Sequence, residues 1–450
     1  MSGGDRTEDW TDLLLLSAGS PEALEDMATA YAGFLTEAEP AAWRAIRATV
    51  ALRRPRPSHR LVVAAQTPKD AADLLRRCLN GEKTSRLAKG KAPGRPPRLA
   101  LVYDGNGPQW WGMGRELYAA SPIFRQAIDE IDALFAPKAG WSIAQEMRRP
   151  EADSRIGLTE IGQPLLFAQQ VALTTVLSAA GIRASAVIGH SVGEVAAAWA
   201  SGALTLAQAV DVIFHRSQTQ IATAGSGRMA ALGMGAEEAA TAMEAVGGWL
   251  EIAAFNAARA VTVAGDPAAL EALRDRLTAR GKFVRILPLD YPFHTRAMDV
   301  IKAPLLARLE GLAPQRGDIP FISTVTGAEI DGAALDAEYW WRNARAPVRF
   351  EAAVTHALRR QDIGLFLEVG PHPVLKDYLQ QTIRSADGAS AMALSTLRRP
   401  APGRPAPELE TLKTAVCTVY AAGGGDATAL FDKPRVAARL PTLERLDAAE

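Results

Sequence analysis

The chain has 450 residues, 48% of them hydrophobic, enough to bury a large core and more than one domain. Lysine plus arginine balances aspartate plus glutamate, 50 against 50, which removes any whole-chain basic field for nucleic acid; two cysteines, Cys78 and Cys417, are too few for a disulfide framework or a zinc cluster. No apolar run approaches the roughly 18–20 residues of a membrane helix, and the acidic, polar stretch Met1 to Trp10 does not read as a signal peptide, so a soluble cytoplasmic protein with no membrane, nucleic-acid or metal partner is expected.

Composition divides the chain into three regions, 1–97, 98–395 and 396–450. In the first, an apolar run, Leu13 to Leu16, predicts a strand. A helix follows from Pro21 to Glu37, with Leu24, Met27, Ala28, Tyr31 and Leu35 at helical spacing. Leu61 to Ala65 reads as a strand and Pro68 to Leu79 as a helix. The basic, Pro/Gly-rich stretch Lys83 to Arg98 is expected to be a solvated, mobile linker.

The second region alternates strand-like runs with helices rich in alanine and leucine. The runs are Leu99–Tyr103, Ala186–Gly189, Ala260–Ala264, Phe283–Leu287, Phe321–Thr324 and Leu365–Val369. This alternation predicts an α/β fold with a mostly parallel sheet. Within it, Met229 to Leu289 reads as βαββαβ, a ferredoxin-like insert. The third region opens with a Pro/Arg-rich stretch, Arg398 to Pro407, expected to be extended, and continues into a helix from Glu408 to Tyr420.

The sharpest local signal is GHSVGE at 189–194, a G-x-S-x-G pattern around Ser191. A strand-like run precedes it and a helical pattern, Val195–Ala200, follows, which is the strand–turn–helix setting of a nucleophile elbow. Gly189 and Gly193 leave room for a tight turn that lifts the serine hydroxyl. The helix that follows aims free N–H groups at the site, so the Val192 N–H is a natural oxyanion donor. A serine nucleophile needs a base. Of six histidines, His190 is expected to point away from Ser191, whereas His294, in YPFHTRAMD, follows a strand at a loop.

Eight ordered segments together resemble one family, the acyltransferase domains of type I polyketide and fatty acid synthases and the stand-alone malonyl transacylases. They are YDGNGPQWWGMGREL at 103–117, LTEIGQPLLFAQQVAL at 158–173, GHSVGEVAAAWASGALTLAQAV at 189–210 and FHRSQTQ at 214–220. FNAARAVTVAG at 255–265, YPFHTRAMD at 291–299, YWWRNARAPVRF at 339–350 and FLEVGPHPVL at 366–375 complete the series. The resemblance implies a hydrolase-like large subdomain with a parallel sheet and a ferredoxin-like small subdomain at about 229–289. It also implies an N-terminal αβ linker domain, of the kind found between ketosynthase and acyltransferase. The terminal RVAARLPTLERL resembles a post-acyltransferase segment that wraps back toward that linker.

The resemblance further implies roles. Ser191 would carry the acyl group as an ester, and His294 would be its general base, oriented by a backbone carbonyl rather than an acid. Arg216 would pair with the free carboxylate of a malonyl unit, a match for a guanidinium fork. Gln163 and Asn256 match family positions that line the pocket, and either could equally be a structural amide. The backbone N–H of Asn106 would join Val192 in the oxyanion hole, although many members carry glutamine at position 106. The implied substrates are malonyl-coenzyme A and the phosphopantetheine thiol of an acyl carrier protein, with no tightly bound cofactor and with an adjacent ketosynthase as neighbour.

Three other readings compete: a serine hydrolase or thioesterase, a non-catalytic docking module, and an acyltransferase for a starter unit without a carboxylate. A hydrolase would need an acid between Ser191 and a late histidine. A docking module has no use for an intact Ser191 and His294, nor a starter enzyme for Arg216. In the family, the tetrapeptide ending in the catalytic histidine follows the α-substituent of the acyl unit. His-Ala-Phe-His goes with malonyl and Tyr-Ala-Ser-His with methylmalonyl. Tyr291-Pro292-Phe293-His294 mixes the two. Phe293 and the aliphatic Val192 favour malonyl, while Tyr291 favours methylmalonyl.

Overall fold

In the computed structural model, which describes Trp10, residues 12–386, 390–401 and 407–431, and Ala438, Leu440 and Pro441, the strands form three sheets. In chain order the strands are β1 (Leu13–Ala18), β2 (His59–Ala64), β3 (Leu87–Lys91), β4 (Arg98–Tyr103), β5 (Ala186–Gly189), β6 (Arg228–Leu232) and β7 (Leu250–Ala257). They continue with β8 (Ala260–Gly265), β9 (Val284–Ile286), β10 (Phe321–Ser323), β11 (Ala328–Ile330), β12 (Ile363–Val369) and β13 (Met392–Ser395).

The N-terminal sheet is antiparallel, in the order β1-β2-β3. Two of its helices start as their sequences dictate. Ser20 and Thr67 accept the backbone N–H of Ala23 and Asp70, and a proline opens each helix, Pro21–Thr36 and Pro68–Leu79. A further helix, Trp43–Arg53, completes the layer. Strand alternation splits β1 between two cores. Leu14, Leu16 and Ala18 pack under the linker helices, and Leu13 faces the main body.

One expectation fails here. The stretch Lys83 to Arg98 is not a mobile linker, because it contains β3, paired along its length with β2. Its charges hide a two-faced strand. Leu87 packs on the linker core and Ala88 on the main core, while Lys89 turns to solvent and meets Glu25 at 2.8 Å. The helix Glu408–Ala421 packs on β2 and β3. Gly90 permits that approach, since a Cβ there would stand 2.9 Å from the Ala421 carbonyl oxygen. The expected extension of Arg398–Pro407 falls partly outside the described residues, and so does most of the terminal RVAARLPTLERL. Within that terminal segment, Ala438 donates its N–H to Thr49 Oγ1 at 3.0 Å, and Ala438 and Leu440 pack on the linker core.

The central sheet runs β11-β10-β5-β4-β12-β13, parallel except for the β11 edge. The helices Pro122–Ala139, Thr159–Ala179 and Leu206–Gln220 cover one face, and Phe350–Arg360 and Lys376–Ser385 the other. Burial on both sides explains why its inner strands read as continuous apolar runs. The third sheet, β7-β8-β6-β9, is antiparallel and carries the helices Ala236–Glu244 and Pro267–Thr278. Its chain order is βαββαβ, as the ferredoxin-like reading expects. A bridge between Ala254 and Val348 ties it to the large subdomain. Among the described residues, no helix is long and apolar enough to cross a membrane.

Candidate active site

Ser191 stands between the end of β5 and the helix Gly193–Ala200, with φ +54°, a left-handed backbone that a serine adopts only under constraint. The constraint is steric. A side chain at Gly189 would collide with the backbone of Glu194, and one at Gly193 with the carbonyls of Tyr103 and Asp104. The loop after β4 leans on the same turn. A Cβ at Gly105 would lie 2.8 Å from the His190 carbonyl oxygen and 2.9 Å from its Nδ1. Beside it, the backbone N–H groups of Asn106 and Val192 have no acceptor among the described residues. Both N–H groups thus remain available to a bound acceptor.

His294 reaches Ser191 from the segment after β9. Its Nε2 lies 2.7 Å from Ser191 Oγ, and its Nδ1 lies 2.9 Å from the carbonyl oxygen of Ala346. The carbonyl accepts a proton on Nδ1, which leaves Nε2 to accept the serine proton. No carboxylate touches the imidazole among the described residues. Both side chains are largely buried, Ser191 8% and His294 5% exposed. Burial, then Arg216 and His190, push the His294 pKa down to about 3, with the Ala346 carbonyl opposing. The ring is neutral and ready to accept a proton.

Arg216 is 1% exposed, on the inner face of the helix Leu206–Gln220, which Thr205 and Gln208 open with a capping box. Its Nε donates to Asn343 Oδ1 at 3.0 Å, and its Nη1 to Gln163 Oε1 at 2.8 Å and Gln220 Oε1 at 3.3 Å. Its Nη2 faces Ser191 Oγ at 3.3 Å. Burial lowers the guanidinium pKa to about 10, with Glu194 opposing, so it stays charged at neutral pH. Amide oxygens aim this cation, leaving the Nη2 edge toward Ser191.

Gln163 therefore meets Arg216 and Gln220 directly. Asn256 takes the second of its two expected places, as a structural amide. Its amide is taken up by His190 Nε2 at 2.9 Å and Thr262 Oγ1 at 3.1 Å, so it braces the elbow through His190. His190 points away from the Ser191 hydroxyl, as expected. Tyr291 and Phe293 stack at 5.0 Å with rings 4° from parallel, in a cluster with Met229, Met298 and Ile301 just before His294.

Three residues at the site had no assigned role. Asn343 Nδ2 donates to the Ser191 carbonyl at 3.0 Å and to Glu194 Oε2 at 2.8 Å. Glu194 is fully buried and also accepts from Thr324 and Tyr339. Gln220 sits one helical turn after Arg216, a spacing that could have flagged it. Asn343 and Glu194 lie in matched motifs but carry no local signal of their own.

The family model described as "Acyl transferase domain" matches residues 100–422, and one described as "CurL-like, PKS C-terminal" matches residues 12–75. Polyketide synthase GfsB of Streptomyces halstedii is 39% identical over 85% of this chain, and Erythronolide synthase EryA3 of Saccharopolyspora erythraea 35% identical over 91%. The chain spans only 7% and 13% of those two synthases. The acyltransferase domain from module 8 of the salinomycin polyketide synthase superposes with a TM-score of 0.83 at 33% identity, covering 93% of this chain and 97% of that one.

Proposed function

This chain belongs to the acyl transferase domain family, in the form carried by type I polyketide synthases, and from that premise we propose that it moves a malonyl extender unit from coenzyme A to an acyl carrier protein. The observation that carries the reading is the triangle of Ser191 Oγ, His294 Nε2 at 2.7 Å and the buried Arg216 Nη2 at 3.3 Å.

The chemistry follows from the atoms. Ser191 gives its proton to His294 Nε2 and attacks the thioester carbonyl. The Asn106 and Val192 N–H groups receive the oxyanion. Collapse expels the coenzyme A thiol, which takes the proton from His294, and leaves an acyl-serine. The phosphopantetheine thiol of the carrier then enters, His294 takes its proton, and the same steps run in reverse. Arg216 binds the free carboxylate of the acyl unit. That pairing also cancels part of the cation that depresses His294, so the base strengthens when the correct substrate arrives. No resident cofactor enters these steps. An adjacent ketosynthase would use the loaded carrier.

Arg216 favours this reading over a plain esterase or a starter-unit enzyme, neither of which needs a buried cation beside the serine. Phe293, next to the base, supports malonyl over a branched extender. Intact-mass analysis after incubation with acetyl-, malonyl- and methylmalonyl-coenzyme A tests the proposal. The expected result is a stable malonyl adduct on Ser191, lost on adding a phosphopantetheinylated carrier that gains it. Rapid loss to water without the carrier would make the protein a hydrolase instead.

A further inference from the structure

Beneath the Gly105–Gly107 loop lie two carboxyl side chains that these steps do not use. Asp104 is 0% exposed and Glu368 1%. They stand at the ends of neighbouring parallel strands, β4 and β12, in which Glu368 pairs with Val102 and Val369 with Tyr103. Glu368 Oε1 is accounted for, accepting the N–H groups of Val374 and Leu375 at 2.6 and 2.7 Å ahead of the helix Lys376–Ser385. Its Oε2 and both Asp104 oxygens find no donor among the described residues. Two bare carboxylates packed together away from water would repel strongly and leave acceptors unsatisfied. A single proton between them resolves both problems. Burial raises both carboxyls above the usual range, and for Asp104 the neighbouring Glu368 adds to it, in keeping with one proton held between them. The packing is tight, since any side chain at Gly370 would overlap the Asp104 carboxyl.

We propose that Asp104 and Glu368 share one proton and form a positioning pair that fixes the Asp104–Gly107 backbone, and with it the Asn106 N–H, against the serine turn. The main chain on either side of the pair supports this assignment. The Tyr103 carbonyl accepts the His190 N–H at 2.8 Å, and the Asp104 carbonyl accepts Gln170 Nε2 at 2.9 Å. The Asp104 side chain supplies the remaining anchor, through Glu368, to the turn at Val374–Leu375. The catalytic consequence rests on the oxyanion role proposed for Asn106; the shared proton does not.

The test joins three measurements on the wild type, Asp104→Ala and Asp104→Asn. Infrared spectroscopy at mildly alkaline pH should show a protonated, deuterium-sensitive carboxylic-acid band in the wild type that Asp104→Asn removes. Hydrogen exchange across Gly105–Gly107 should quicken in Asp104→Ala and stay near wild type in Asp104→Asn, whose amide N–H can replace the shared proton toward Glu368. In malonyl transfer, Asp104→Ala should lower kcat at least about tenfold with KM little changed, part of the 10²–10³ that a lost oxyanion donor costs, and Asp104→Asn should recover most of it. Absence of the infrared band overturns the proposal, as does loop exchange unaltered in Asp104→Ala, or Asp104→Asn as impaired as Asp104→Ala. If Asp104→Ala does not fold, the band and the Asp104→Asn rate decide. If the wild type transfers no acyl group, the functional reading fails while the infrared and exchange results still judge the pair.

Discussion

If the site takes malonyl as proposed, replacing Arg216 with alanine should shift it toward acetyl, and the hydrogen bonds around the guanidinium set the size of the effect. Nε is committed to Asn343, and Nη1 to Gln163 and Gln220. Only the Nη2 edge, loosely set at 3.3 Å from Ser191, is open to a substrate carboxylate. One charge-assisted hydrogen bond is therefore at stake, not a full two-pronged pair. Such a bond contributes about 1.5–3 kcal/mol, or about 10–150-fold in rate. kcat/KM for malonyl-coenzyme A should fall by that factor relative to acetyl-coenzyme A, measured as acyl-serine formation by mass. The substitution also strips a donor from Asn343 and Gln163, so the melting temperature should drop, and rates must be compared where both proteins are folded. An equal loss for both thioesters would refute the reasoning and make Arg216 a structural cation.

Ser191→Ala should abolish the acyl adduct without unfolding the protein, and any remaining malonyl mass would place the nucleophile elsewhere. His294→Ala should slow acylation by about 10²–10⁴-fold, the range for a positioned acid–base group; a loss under about tenfold would point to another base. Because the folded His294 pKa lies near 3, below the ordinary 6.5, the free protein keeps its base neutral as pH falls through 6.5, so kcat/KM should show no acid limb there. A limb near 6.5 that His294→Ala removes would contradict the burial argument. Phe293→Ser should narrow the preference for malonyl over methylmalonyl, since one methyl in a pocket is worth about 1–3 kcal/mol. An unchanged competition ratio would clear Phe293, whose ring also stacks on Tyr291.

The sequence displayed those features whose cause is local. The elbow is legible because Gly189 and Gly193 are demanded by backbone contacts within a few residues of Ser191 and by the strand beside it. The ferredoxin-like insert is legible because each of its strands and helices has its own periodicity. β3 was hidden because Lys89 and Lys91 dominate its composition; it is a strand because it pairs with β2, and the helix that covers it lies more than 300 residues away in sequence. β11 and β13 are only 3 and 4 residues long, too short for alternation to register. For Asn256 the sequence leaves pocket lining and a structural amide equally open, because a motif gives the position of a residue but not its partner. Its amide faces His190, a contact created only when β7 meets the elbow.

Asn343 shows why the site is built from amides rather than acids around its arginine. A buried guanidinium needs acceptors, and a carboxylate would be the strongest one available. A carboxylate in direct contact would also fill the edge that the proposed function reserves for the acyl unit's free carboxylate. Among the described residues Arg216 instead touches three neutral amide oxygens, and the nearest acid, Glu194, sits behind Asn343. The amides fix the direction of the fork without cancelling its charge, and Glu194 steadies that charge from one residue away. Asn343 spends its other hydrogen bonds on Glu194 and on the Ser191 carbonyl. One side chain thus ties the Ser191 backbone to the Arg216 guanidinium, and so sets the spacing between the two groups to which the proposed function gives the acyl carbon and the free carboxylate.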